Sequence, residues 1–265
     1  MARVLSVDLA LDDYDDFGLC VLESRSGSAA AAEFMLPSEI GLKGQPDPQR
    51  CADALAAYCD SSGVSVLLLD GPQGWKDPTT READSRVCEA LLGAATKMQL
   101  PGVAAPPQFL PYARFSVALF AALAERGAVL PDFEPFALPP AGYLLLETYP
   151  PAAWKALGLA PQRPKDKAKL DESQQACANL QRRVPVSFRH AVNHDEASAL
   201  VAGLAGIAVS LGNDAGYKAV GAPLFFVEGT AREGYIVVPT LDCLGEKRAP
   251  AGRIRVPPGP ARRRR

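Results

Sequence analysis

Four absences bound what this chain can be. No apolar run approaches the roughly 18 residues that a membrane-spanning helix needs, and the N-terminus offers Arg3 and a short strand pattern rather than the apolar core of an export signal. A cytoplasmic protein with no membrane contact is therefore expected. The six cysteines, Cys20, Cys51, Cys59, Cys88, Cys177 and Cys243, include no C-x-x-C pair, which argues against a zinc site and a disulfide framework and leaves buried free thiols. There is no P-loop, no G-x-G-x-x-G and no G-x-S-x-G, so the commonest nucleotide-binding and serine-hydrolase chemistries are excluded. A basic excess is also missing. Four of the 28 Lys and Arg residues sit together as Arg262 to Arg265, so the rest of the chain is acidic against 30 Asp and Glu. That balance disfavours a protein that grips long duplexes through their phosphates.

What remains is an alternating α/β pattern built around Val64-Ser65-Val66-Leu67-Leu68-Leu69-Asp70-Gly71-Pro72. The apolar β-prone run closed by Gly-Pro reads as a strand buried on both faces. Val4 to Asp8 has the same form, and Tyr143 to Thr148 repeats it with Glu147 near its end. Between the first two, Phe17 to Leu22 reads as a returning strand after a turn crowded with Asp12, Asp13, Asp15 and Asp16. Ala29 to Leu36 supplies a third strand. A helix opens at Pro46-Asp47-Pro48, with Asp47 as its cap, and stops near Gly63.

From about residue 72 to 140 the composition shifts to prolines and two helical stretches, one from Thr79 or Thr80 to Leu92 and one from Tyr112 to Arg126. This reads as a helical cap inserted into a single domain spanning residues 1–256. Further on, Thr148 is positioned to cap a helix from Pro150 to Leu157, and a charged helix covers Asp166 to Arg182. Asn193 and Glu196 form a capping box for an apolar helix to Leu211, in which Gly203 and Gly206 permit close approach to a sheet. A hairpin pairs Leu224–Val227 with Tyr235–Val238, and residues 257–265 form a disordered Pro/Arg tail.

Four acids then stand at element ends: Asp8, Asp70, Glu147 and Asp195. In open α/β sheets ligands bind beyond the carboxyl ends of the strands, and converging carboxylates are kept ionised most readily by a hard divalent cation, Mg2+ or Mn2+. Asp8, Asp70 and Asp195 are the candidate metal ligands, with all four acids as candidate catalytic groups. Arg81 and Arg86 are candidate substrate-phosphate contacts, although Glu82 and Arg86 also have the spacing of an exposed helix ion pair. Lys165, Lys167 and Lys169 read as a solvated helix start or a phosphate clamp. The two histidines, His190 and His194, fall on different elements and do not make a zinc pair.

These residues resemble family 429 of the domains of unknown function, described as predicted nucleases of the ribonuclease H-like fold. The resemblance is carried by Val7-Asp8, Leu69-Asp70-Gly71-Pro72-Gln73-Gly74, Arg81 to Arg86, Glu147-Thr148-Tyr149-Pro150 and His194-Asp195-Glu196. It implies a mixed five-stranded sheet, an antiparallel three-strand meander followed by two parallel strands, with helices on both faces. It also implies metal binding by Asp8 and Asp70 with Glu147 and Asp195. Ser198 stands where the pattern often has a second acid one turn on, which implies one tightly held ion. The function expected is metal-dependent phosphodiester hydrolysis on a nucleic acid or nucleotide. The alternatives are a non-catalytic nucleotide- or protein-binding module on the same fold, and an actin-like phosphotransferase, against which the missing glycine-rich phosphate loops count.

Overall fold

Strand β1 (Ala2–Asp8) lies at the middle of a mixed eight-stranded sheet and pairs antiparallel with β2 (Gly18–Ser24) and parallel with β4 (Val66–Asp70). The computed structural model describes residues 1–25, 29–80, 84–165, 167–189 and 192–245. β3 (Ala30–Met35) continues the meander beyond β2, and β7 (Leu144–Thr148) lies parallel to β4 on the other side. The five strands expected from the sequence are thus contiguous, in the order β3-β2-β1-β4-β7. Three more extend the sheet. β8 (Val186–Ser187) joins the β3 edge, while β10 (Thr230–Pro239) lies parallel to β7 and carries β9 (Tyr217–Val227) as the other edge.

The five-stranded expectation is therefore corrected to eight. The C-terminal hairpin is longer than its apolar alternation indicated, because Glu233-Gly234 forms a bulge within β10 rather than a turn. The turn itself is Glu228-Gly229, where both residues have positive φ.

Each face of the sheet is covered by helices. Helix α6 (His194–Ser210) crosses one face against Val4, Leu22, Leu68 and Leu146, with α4 (Pro150–Ala156) and α5 (Leu170–Arg183) alongside. Its close approach depends on glycine, since a Cβ on Gly203 would meet Leu22 Cδ1 at 2.3 Å and one on Gly206 would meet Leu68 Cδ1 at 2.4 Å. The opposite face packs against α1 (Pro48–Ser62) and α3 (Leu110–Glu125) through Leu55, Phe115, Leu119 and Leu123. α1 is capped as expected, with Asp47 accepting from the Arg50 amide and Gly63 in the left-handed region.

The segment between β4 and β7, read from sequence as a cap, thus contributes one of its helices to the core. It also holds α2 (Val87–Leu92) and a small ribbon of β5 (Lys97–Met98) and β6 (Ala104–Ala105). α2 is shorter than the Thr79–Leu92 expectation. Thr79 donates to the Asp77 side chain and Thr80 to Glu233, which takes that stretch out of helical geometry. Thr148 does not cap α4 but donates to the Val237 carbonyl, and Tyr149 takes the cap position. α5 starts at Leu170 rather than near Asp166. All six cysteines are buried and unpaired. No helix among the described residues is long and apolar enough to cross a membrane. The Pro/Arg tail and His190 lie outside the described residues.

Candidate metal centre

Asp8 and Asp70 are direct partners in the parallel ladder of β1 and β4, and their carboxyl groups are close enough to shift one another's ionisation. Strand alternation turns both toward the α6 face. Burial raises the Asp8 carboxyl well above the ordinary carboxylate range, and the charges of Asp70 and Asp195 add to this, with only His194 opposing. Burial likewise raises Asp70, to about 7, with Glu147 contributing. Two carboxylates in contact without a cation between them cannot both ionise readily. Their surroundings favour either a shared proton or a bound positive charge. Asp8 and Asp70 offer oxygen donors alone, which suit a hard divalent ion.

Asp195 arrives at this rim from the N-terminus of α6, where the Asn193–Glu196 capping box fixes the first turn. Ligand atoms of Asp8, His194 and Asp195 lie within 4.8 Å of one another. The approach is permitted by Gly18, the ladder partner of Asp8: a Cβ there would stand 2.2 Å from the Asp195 carbonyl oxygen. Burial would raise the Asp195 carboxyl, but His194 and Lys165 overcome it and hold the group below its ordinary range. Asp195 Oδ1 lies 3.1 Å from His194 Nδ1, and Oδ2 lies 2.7 Å from Lys165 Nζ. The other ring nitrogen of His194 is 3.0 Å from the Arg163 carbonyl oxygen, so the ring is held at both ends. His194 and Lys165 are the neighbours that sequence reasoning did not place here. For His194 the available signal was its position beside Asp195 in the first turn of a capped helix.

Glu147 behaves differently. Its ladder partner is Leu69, not Asp70, so alternation turns it to the opposite face of the sheet from Asp8 and Asp70. There Arg86 grips it through two nitrogens, at 2.8 and 2.6 Å, and the Gln73 amide donates at 2.9 Å. Arg86 also contacts Glu89 at 2.9–3.0 Å, and Glu89 accepts from the Met98 amide at 2.8 Å. The exposed Glu82–Arg86 pair allowed by the spacing is therefore corrected. Arg86 is 1 % exposed and its guanidinium is committed to Glu147 and Glu89. Arg81 and Glu82 lie outside the described residues.

Asp8, Asp70 and Glu147, but not Asp195, line a cleft of about 260 Å³ whose further walls include Phe109, Tyr112 and Tyr149. The Phe109 and Tyr112 rings are 5.2 Å apart, and the Tyr112 hydroxyl donates to the Asp70 carbonyl oxygen. The inserted segment is held over this region by Glu233, which accepts from the Asp77 and Val87 amides and the Thr80 hydroxyl at 2.9–3.0 Å.

No family model matches the chain, so the resemblance to family 429 rests on the quoted motifs alone. No curated protein matches it either. Among solved structures, the Thermus thermophilus RuvC structure is similar at 12 % sequence identity over 87 % of this chain and 99 % of that one, with a TM-score of 0.36. A likeness that loose carries no weight for the fold or the activity of this chain.

Proposed function

We propose that this protein is a divalent-metal-dependent phosphodiester hydrolase of the ribonuclease H-like class, acting on a nucleic acid or nucleotide. The observation that carries the reading is the pairing of Asp8 with Asp70 at adjacent strand ends, both carboxyls raised by burial, with Asp195 at the same rim. The strand order β3-β2-β1-β4-β7, an antiparallel meander followed by two parallel strands, is the arrangement such a fold requires and supports the same reading.

A bound Mg2+ or Mn2+ would supply Lewis-acid polarisation of a phosphoryl oxygen and an acidified water. The chain's own residues set the stage for it. Asp8 and Asp70 are the primary oxygen ligands, held in register by the ladder rather than by flexible loops, so little ordering is left to occur on binding. Asp195 completes the rim, and His194, anchored by the Arg163 carbonyl oxygen, fixes one of its oxygens. Tyr112 holds the Asp70 main chain from the inserted segment. Glu147 and Arg86 form the buried wall behind the ligands, so Glu147 orients the site and Arg86 is spent on that wall. The aromatic rings and the volume of the cleft suit a nucleotide unit rather than a whole duplex.

Diffraction at the manganese edge from crystals soaked in MnCl2 tests the reading directly. Anomalous density bridging Asp8 and Asp70, with metal–oxygen distances of about 2.1 Å, together with Mn2+-dependent cleavage of a single-stranded oligonucleotide that Asp8→Asn abolishes, is the expected result. Absence of metal density between the two carboxylates would instead favour a non-catalytic binding module.

A further inference from the structure

The sequence around Lys165 left two readings open, a solvated helix start and a phosphate clamp. All three lysines are exposed and precede α5, as the solvated reading has it, but Lys165 also makes ion pairs of its own. Lys165 lies between α4 and α5, and its ammonium reaches across to Asp195 Oδ2 at 2.7 Å and to Asp16 Oδ1 at 2.8 Å. These partners come from distant parts of the chain, one from the acidic turn after β1 and the other from the first turn of α6. An isolated surface ion pair would carry little meaning. This one is a bridge between two carboxylates, and one of them, Asp195, has its other oxygen on His194 at 3.1 Å and belongs to a group with Asp8 and His194 whose ligand atoms lie within 4.8 Å of one another.

Charge accounting shows what the bridge does. Asp8, Asp70, Asp195 and Asp16 bring four carboxylates to one rim. A single divalent ion between Asp8 and Asp70 offsets two of those charges; on the other side His194 Nδ1 meets Asp195 Oδ1 at 3.1 Å, and Asp195 Oδ2 and Asp16 share one further cation. In metal-dependent phosphoryl-transfer centres two divalent ions about 3.5–4 Å apart commonly divide that work. Here an ammonium already stands on the Asp195–Asp16 side. It is tethered to the chain and is itself a compact point charge with three donors.

Resting on the reading of Asp8 and Asp70 as ligands, we propose that Lys165 is a built-in counter-cation that occupies the second-cation position, so that the centre binds one divalent ion rather than two. Asp195 is then shared: Oδ2 is held by Lys165, and Oδ1, which also meets His194, is the oxygen left to the ion. Asp16, in the acidic turn after β1, has a defined role as the second anchor of that ammonium.

Counting bound Mn2+ tests this without reference to activity. The full chain is titrated with MnCl2 alone, and bound metal is read by isothermal calorimetry and by loss of the free-ion paramagnetic resonance signal. The wild type should bind about one Mn2+. Lys165→Met, which keeps most of the unbranched side chain and removes the charge, should bind about two, because Asp16 and the second oxygen of Asp195 are released to a metal. Lys165→Arg should return the count to about one, which a purely structural role for the side chain would not require. Two ions in the wild type, or one in both the wild type and Lys165→Met, overturns the counter-cation role while leaving the Asp8–Asp70 centre standing. No Mn2+ in either protein overturns both readings.

Discussion

Gly18 and Asp195 touch through their backbones: the Gly18 Cα faces the Asp195 carbonyl so closely that any Cβ would lie 2.2 Å from its oxygen and 2.3 Å from its carbon. Gly18 is also the ladder partner of Asp8. One residue without a side chain therefore sets the distance between the strand that carries the first acid and the helix that carries the third.

Gly18→Ala should push the start of α6 away from β1. The expected cost is about 1–3 kcal/mol of stability from overpacking, together with a weaker Mn2+ affinity. Paired urea melts and Mn2+ titrations check this, and a variant with unchanged affinity would mean that Asp195 does not contribute to the ion.

The raised carboxyls of Asp8 and Asp70 couple stability to pH. A group whose pKa is higher in the folded state than in the unfolded chain adds stability that is complete below the unfolded pKa and is lost as pH rises through the folded one. For Asp70 that window runs from the ordinary carboxylate range near 3.8 up to about 7. The metal-free protein should therefore melt lower at pH 8 than at pH 5, and saturating Mn2+ should remove the difference. For a chain of this size each kcal/mol corresponds to roughly 2–4 °C, so scanning calorimetry at the two pH values resolves it.

Asp70→Asn should separate function from stability. The metal-free variant should melt above the wild type at pH 8, because the uncompensated charge is gone, while Mn2+ no longer raises its melting temperature. A variant that melts lower than the wild type at that pH would show that the carboxylate pair is not a source of strain.

Arg86 is the buried partner of two glutamates, and its loss leaves both without a cation. Arg86→Met should cost about 3–5 kcal/mol, measured by urea denaturation. Arg86→Lys should recover only part, because an ammonium cannot reproduce the two parallel bonds to Glu147.

Glu233 ties the inserted segment to β10 with three accepted hydrogen bonds. Glu233→Ala should leave the sheet intact while raising amide exchange over residues 77–80 and 84–87, a local loosening that hydrogen–deuterium exchange reads directly.

Much of this was legible in the residues because the signals are local. Apolar runs closed by Asp70 and Asp8 specify buried strands, Asp47 and Gly63 delimit α1, and Asn193 with Glu196 begins α6 whatever lies around them. Those patterns also place Asp8 and Asp70 at strand ends. The sequence could not say which acids face one another. That is decided by ladder register, where a difference of one residue turns Glu147 to the other face and delivers it to Arg86. Nor could spacing reveal that Lys165 meets Asp16 across 149 positions, or that β10 joins β7, because both depend on how distant segments dock. Local chemistry determined the elements and the identity of the acids. Only packing, through register and the absence of a side chain at Gly18, decided which of their charges meet.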